Sequence, residues 1–172
     1  MFCLNSHFQK VIKNLFLKNY VCKILILSLI ASCGGFENKI VVRNLKNSEW
    51  QKDSLLYYEI NLNQPDQTVN LLYQVQYLPS YSFQNVWLKY TLKDPDGKQL
   101  IQSKDNLFLF EPGSGRPFGL HSGQKNYQLA YFLKDVVLKK KGKYTIDIQH
   151  YMRPEILSGI QSLGIIAEKS KE

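Results

Sequence analysis

Asn85-Val86-Trp87-Leu88-Lys89-Tyr90-Thr91-Leu92-Lys93-Asp94-Pro95-Asp96-Gly97 alternates apolar and polar side chains and then breaks at a turn. Successive side chains of an extended chain point to opposite sides, so Val86, Leu88, Tyr90 and Leu92 share one face while Trp87, Lys89 and Thr91 share the other. The ring of Pro95 presets φ and Gly97 accepts the left-handed conformation, which predicts a hairpin turn with the return strand starting near Lys98.

The same period of two extends in both directions. Upstream, Leu56, Tyr58, Ile60 and Leu62 form one face, followed by Val69, Leu71, Tyr73, Val75 and Tyr77. Downstream, Tyr127 to Val137 supplies one or two strands. Lys139-Lys140-Lys141-Gly142-Lys143 then turns into a strand whose Tyr144, Ile146 and Ile148 point inward, with His150 continuing that face. Glu155 to Ser158 is expected to form one helical turn after Pro154, and Leu163 to Ala167 a last strand. Seven or eight short antiparallel strands predict an all-β fold, a two-sheet β-sandwich of jelly-roll-like or immunoglobulin-like type.

Two stretches break the alternation. Phe36 to Gln51 is polar and irregular and is expected to be a tether, ending where Trp50 docks on the domain. Residues 111–126 form a Gly-rich loop longer than an ordinary hairpin connection, the kind of segment that often carries function.

The chain has 172 residues, 44% hydrophobic and 21% charged, which suits one folded domain and excludes a disordered tail or a multi-domain enzyme. Its charge is uneven. The first 32 residues carry Lys10, Lys13, Lys18 and Lys23 and no acid, so removing these four lysines takes the formal charge from +8 to +4. This basic leader runs into the apolar Ile24-Leu25-Ile26-Leu27-Ser28-Leu29-Ile30, too short for a transmembrane helix of about 20 residues, and reads as an export signal.

Ile30-Ala31-Ser32-Cys33 resembles the lipobox of bacterial lipoproteins, in which the Cys sulfur is alkylated by a diacylglycerol and the chain is cut just before it. Small residues suit a narrow protease site, and the thiol is the side chain nucleophilic enough to form the thioether. The expected organisation is a signal peptide over 1–32, a lipidated N-terminus and tether over 33–49, and the β-sandwich over 50–172. Cys3 and Cys22 fall in the leader and Cys33 takes the lipid, so the mature domain reaches an oxidising compartment without a disulfide and depends on its core for stability.

The candidate chemistry is sparse. His121 and His150 are widely separated and match no metal-ligand spacing, and no metal or cofactor is expected. His150 reads as a hydrogen-bonded imidazole at a strand end. His121 could pair with Ser114 or Ser122 and Asp105, but Ser, His and Asp can be chosen from almost any chain, and no enzymatic activity is expected. Gly113-Ser114-Gly115-Arg116 lacks the Lys-Ser/Thr of a phosphate loop. The lysines at 139–141 and 143 read either as a patch that attracts anionic lipid headgroups or, as favoured, as a solvated turn that also discourages sheet aggregation. Export removes nucleic acid as a partner. Tyrosine is abundant, with 11 in the chain, and most are expected in the core or as sheet-surface filler. Trp87 differs, because it falls on the face opposite Val86, Leu88 and Tyr90, where it anchors an interface or meets a second sheet. Trp87, together with His121 and Arg116 of the long loop, makes up the candidate binding set.

The lipobox Cys33, Trp50-Gln51-Lys52-Asp53, the 85–92 strand with its Asp-Pro-Asp-Gly turn, Gly142 to Arg153, Leu157-Ser158-Gly159-Ile160 and Leu163-Gly164-Ile165 together resemble the GldH-type gliding-motility lipoproteins of Bacteroidota. The Gln149 to Arg153 segment followed by Leu-x-Gly-Ile is the most specific part. The resemblance implies a role in gliding motility or the secretion machinery associated with it, exerted from the envelope through contact with other envelope proteins. Lipid on Cys33 implies membrane anchoring, with the outer membrane facing the periplasm as the expected site. The alternative from the residues is a lipid-tethered module that binds glycan or peptidoglycan, with exposed aromatic rings as its platform.

Overall fold

A computed structural model of the chain describes residues 39–170. The leader, Cys33 and the first part of the expected tether lie outside the described residues. Eleven strands follow in chain order: β1 (Lys39–Asn44), β2 (Glu49–Gln51), β3 (Leu56–Leu62), β4 (Gln67–Tyr77), β5 (Asn85–Lys93), β6 (Gln99–Phe108), β7 (Leu120–Ser122), β8 (Lys125–Leu138), β9 (Gly142–His150), β10 (Ile156–Ser158) and β11 (Ile160–Lys169).

They form a five-stranded sheet in the order β1-β11-β4-β8-β7, a four-stranded sheet in the order β3-β9-β5-β6, and a small β10-β2 pair. With the three short strands set aside, β5 pairs β6, β4 pairs β8, β3 pairs β9 and β1 pairs β11, each antiparallel. The chain is thus one doubled ribbon, folded at the β5–β6 hairpin and laid alternately across two sheets. That is the jelly-roll topology of the two expected sandwich types.

The core between the sheets is made by the faces that the alternation defines. Tyr58, Ile60 and Leu62, then Val69, Leu71, Tyr73, Val75 and Tyr77, then Val86, Leu88, Tyr90 and Leu92, are all buried. Tyr144, Ile146 and Ile148 close it from β9, and Leu163, Ile165 and Ala167 from β11. The tyrosines belong here because each buried hydroxyl has somewhere to go: Tyr58 donates to the Leu163 carbonyl at 2.7 Å and Tyr77 to the Leu109 carbonyl at 2.5 Å. Phe132 of β8 stacks on Tyr73 at 4.2 Å and meets Tyr90 edge-on.

Asp94-Pro95-Asp96-Gly97 forms the predicted turn. Asp94 Oδ1 accepts the N–H groups of Asp96 and Lys98, and Gly97 has φ +80. The lysine turn is tied to it, since Lys140 Nζ donates to Asp94 Oδ2 at 2.6 Å and also reaches Asp96, while Lys143 pairs with Glu59.

Three expectations are corrected. The segment from Phe36 to Gln51 is not irregular throughout: Lys39–Asn44 is an edge strand on β11, so the sandwich begins before residue 50. Ile156–Ser158 is a strand and not a helical turn, because Leu157 pairs with Trp50 and buries completely beside it. The 111–126 loop is subdivided, with Phe110 bridged to Pro117 and Leu120–Ser122 paired to Lys125–Tyr127. The docking of Trp50 agrees with expectation: the ring is buried and its Nε1 donates to the Ser54 carbonyl at 3.0 Å.

Candidate functional site

The outer face of the four-stranded sheet carries Trp87, 40% exposed, on β5. Among the described residues no second sheet covers it. Beside it, the chain leaving β9 continues the ladder for one more bond, the N–H of Tyr151 donating to the Trp87 carbonyl at 2.7 Å. The next residue, Met152, folds back so that its Sδ accepts the Trp87 N–H at 3.3 Å. Two sequence regions more than sixty positions apart therefore hold each other at a single residue.

These residues are the floor and one wall of a hollow of about 580 Å³. Phe83 and Asn85 lead into β5 on one side, and Lys104 of β6 and Arg153 complete it. Phe83 meets Tyr81 edge-on at 5.7 Å, and Tyr81 is anchored by donating to the Asn85 carbonyl at 3.0 Å. Lys104 Nζ lies 3.5 Å from the centroid of the half-exposed Tyr151 ring, a cation over an aromatic face. Lys104 chiefly, with Lys89 and Lys52, holds the Tyr151 phenol below its ordinary range. Two of the lining residues are cations and none is an acid, so the hollow offers aromatic surface with a positive rim.

Its geometry depends on a buried residue behind it. His150 is fully buried, with Nδ1 accepting the Met152 N–H at 3.4 Å and Nε2 at 3.1 Å from the Trp50 carbonyl. An acceptor at Nδ1 places the proton on Nε2, which donates to Trp50, so the ring is neutral with both nitrogens used. Burial lowers its pKa from 6.5. The Trp50 ring packs edge-on against it at 5.5 Å. A second support is Gly159, at φ +97, where an added Cβ would lie 3.0 Å from the Tyr81 Cα.

Of the binding residues read from sequence, only Trp87 is in the hollow. Arg116 sits in the loop after Glu111, its N–H donating to Ser114 Oγ at 3.2 Å, and its side chain is exposed. His121 is on β7 with Nδ1 at 2.9 Å from Asn126 Oδ1. Of the partners considered for His121, Ser114 is bonded to Glu111 and Asp105 to Tyr73. Among the described residues no cluster of three or more His, Cys, Asp or Glu is placed to hold a metal ion. Sequence reading missed Phe83, Lys104 and Tyr151 to Arg153 as neighbours of Trp87. The available signal was that Tyr151 follows directly on a strand predicted to end at His150.

Comparison with known proteins supplies the family. The family model described as GldH lipoprotein matches residues 41–166. A protein of Christiangramia forsetii named gliding motility lipoprotein GldH homolog is 27% identical over 129 residues, covering 71% of this chain and 78% of that protein. Among solved structures, the CBM35 domain of Abf62 from Cellvibrio japonicus superposes with a TM-score of 0.39 at 16% identity, covering 81% of this chain and 83% of the domain. A family GH115 4-O-methyl-α-glucuronidase gives a TM-score of 0.39 at 12% identity, with 78% of this chain spanning 16% of that enzyme. On the match from Val41 to Ile166, the chain belongs to the GldH lipoprotein family.

Proposed function

We propose that this protein is an envelope lipoprotein, acylated on Cys33 and held at the outer membrane facing the periplasm, that serves gliding motility and the associated secretion machinery by protein–protein contact and not by turnover. The family and the named relative support the motility role. The observation that carries the contact role is the solvent-open hollow around Trp87. Half-exposed aromatic rings over an apolar floor, rimmed by Lys104 and Arg153, are the composition of an interface anchor site. A protein partner with an aromatic or acidic side chain is the match.

The test is deletion of the chromosomal copy and complementation. Loss of surface spreading or of secretion, restored by the native chain and not by Trp87→Ala, is the expected result. A deletion strain that spreads and secretes normally would remove the proposal. Palmitate labelling lost in a Cys33→Ser chain tests the anchor separately.

One observation favours a second reading. Trp87 and Tyr151 present two rings in one hollow, a surface on which sugar rings stack. That reading requires saturable binding of residues 34–172 to peptidoglycan or polysaccharide, weakened by Trp87→Ala; a pull-down without binding removes it.

A further inference from the structure

The face of the five-stranded sheet turned away from the core carries an apolar patch, bounded by the polar Gln74, Gln76, Ser162 and Asn44. Register puts Ile40 of β1, Ile166 of β11, Leu72 of β4 and Tyr131 of β8 side by side in one row. The next row is Val42, Gly164, Gln74 and Leu129; the row after it is polar through Asn44, Ser162 and Gln76 and apolar only at Tyr127 and Leu120 of β7. Leu120 is 72% exposed, Ile40 56%, Leu129 51% and Tyr131 47%. Gly164 sits level among them, with Val42 Cγ2 only 3.1 Å from where a Cβ would be. Lys134 lies over the Tyr131 ring at 4.7 Å and Glu168 accepts from the Tyr131 hydroxyl, so the charges of this end sit beside the apolar patch. A monomeric domain in water rarely leaves so many apolar side chains contiguous and open unless something covers them.

The tether indicates what covers this face. Cys33 precedes Lys39, the first residue of β1, by six positions. A fully extended chain of that length spans at most about 20 Å. The apolar patch begins at Ile40, the very next residue. An acyl group on Cys33 would therefore keep this face within reach of the bilayer at high effective concentration, where even weak apolar contact is sufficient to hold it. Tyrosine and lysine at its rim suit the headgroup zone, where the phenol is half-wet and the lysine extends its charge to water.

We infer that the outer face of the five-stranded sheet lies on the lipid surface, so that the domain rests on the membrane by this face and turns the Trp87 hollow, on the opposite side of the sandwich, away from it. The inference rests on the anchored reading under Proposed function.

The experiment uses the full chain acylated in cells and reconstituted in vesicles of phosphatidylethanolamine and phosphatidylglycerol. Acylation leaves no thiol in the mature chain, so Leu129→Cys, Ile40→Cys and Gln102→Cys each carry a single fluorescent label; Gln102 is exposed on β6 of the other sheet. Lipid-borne doxyl groups are expected to quench the labels at 129 and 40 and aqueous iodide to lose access to them, with the reverse at 102. Two exposed patch positions guard against one variant misfolding. Protein that floats with the vesicles while iodide reaches 129 and 40 freely overturns the inference and leaves the anchor standing. Shielding from iodide without lipid quenching overturns it in favour of a second copy on this face. Failure to float overturns the anchored reading itself and the inference with it.

Discussion

Tyr151 donates its backbone N–H to the carbonyl of Trp87 at 2.7 Å, and that bond sets two half-exposed rings side by side on the sheet surface. Neither ring is needed to fill the core. Trp87→Ala and Tyr151→Ala should therefore leave stability within about 0.5 kcal/mol of the native chain in urea unfolding, as surface substitutions usually do. Their effect should fall on spreading and secretion in complemented cells. A loss of stability comparable to that of a core variant would show that the rings support the fold.

Leu88, one residue on, is fully buried on the other face of the same strand. Leu88→Ala should cost about 2–5 kcal/mol, the range for a leucine truncated in a packed core. Measuring it beside Trp87→Ala contrasts the two faces of β5 directly, and equal costs would contradict the alternation.

His150 gives the stability a pH dependence. Its folded pKa lies below the ordinary 6.5 because burial disfavours the imidazolium, so the unfolded chain binds the proton more readily. The contribution of neutral His150 is complete above pH 6.5 and is lost as pH falls from there toward the lowered folded value. Denaturant midpoints should drop between pH 7.5 and pH 5.5, and the drop should shrink in His150→Gln. Midpoints that move identically in both proteins would assign the dependence to other groups.

Gly159 occupies a conformation that side chains resist, with Tyr81 against the space a Cβ would take. Gly159→Ala should cost about 1–3 kcal/mol, and the strain should loosen Tyr81 and with it the Phe83 wall of the hollow that it supports. Thermal melts measure the first, and the fluorescence maximum of the exposed tryptophan reports the second. An unchanged melting temperature would mean the backbone relaxes freely there.

Asp94 couples two turns, accepting the N–H groups of Asp96 and Lys98 through Oδ1 and the Lys140 ammonium through Oδ2. These donors, Lys140 first, hold its carboxyl below the usual 3.8. The stabilisation is present above 3.8 and is lost as acid titrates the folded group, so Asp94→Asn should be destabilising at pH 7 and approach the native chain at strongly acidic pH. Parallel unfolding curves at all pH values would show that the turn does not depend on the charge.

The inward side chains of β3, β4, β5 and β9 and the place of the β5–β6 turn are legible in the sequence alone, because a period of two and a Pro-Gly turn are properties of neighbouring residues; the faces of β6, β8 and β11 are not. The same alternation also placed Trp87 outward. That Trp87 stays uncovered follows from which strands pair in the other sheet, which no single segment encodes. The same holds for β10, where a segment resembling a helical turn becomes a strand since Glu49–Gln51 offers it an edge about a hundred residues away. Lys104 and Tyr151 reach Trp87 because β6 and β9 both pair with β5. Such pairings are chosen by burial of the whole core and leave no periodic trace in any one segment.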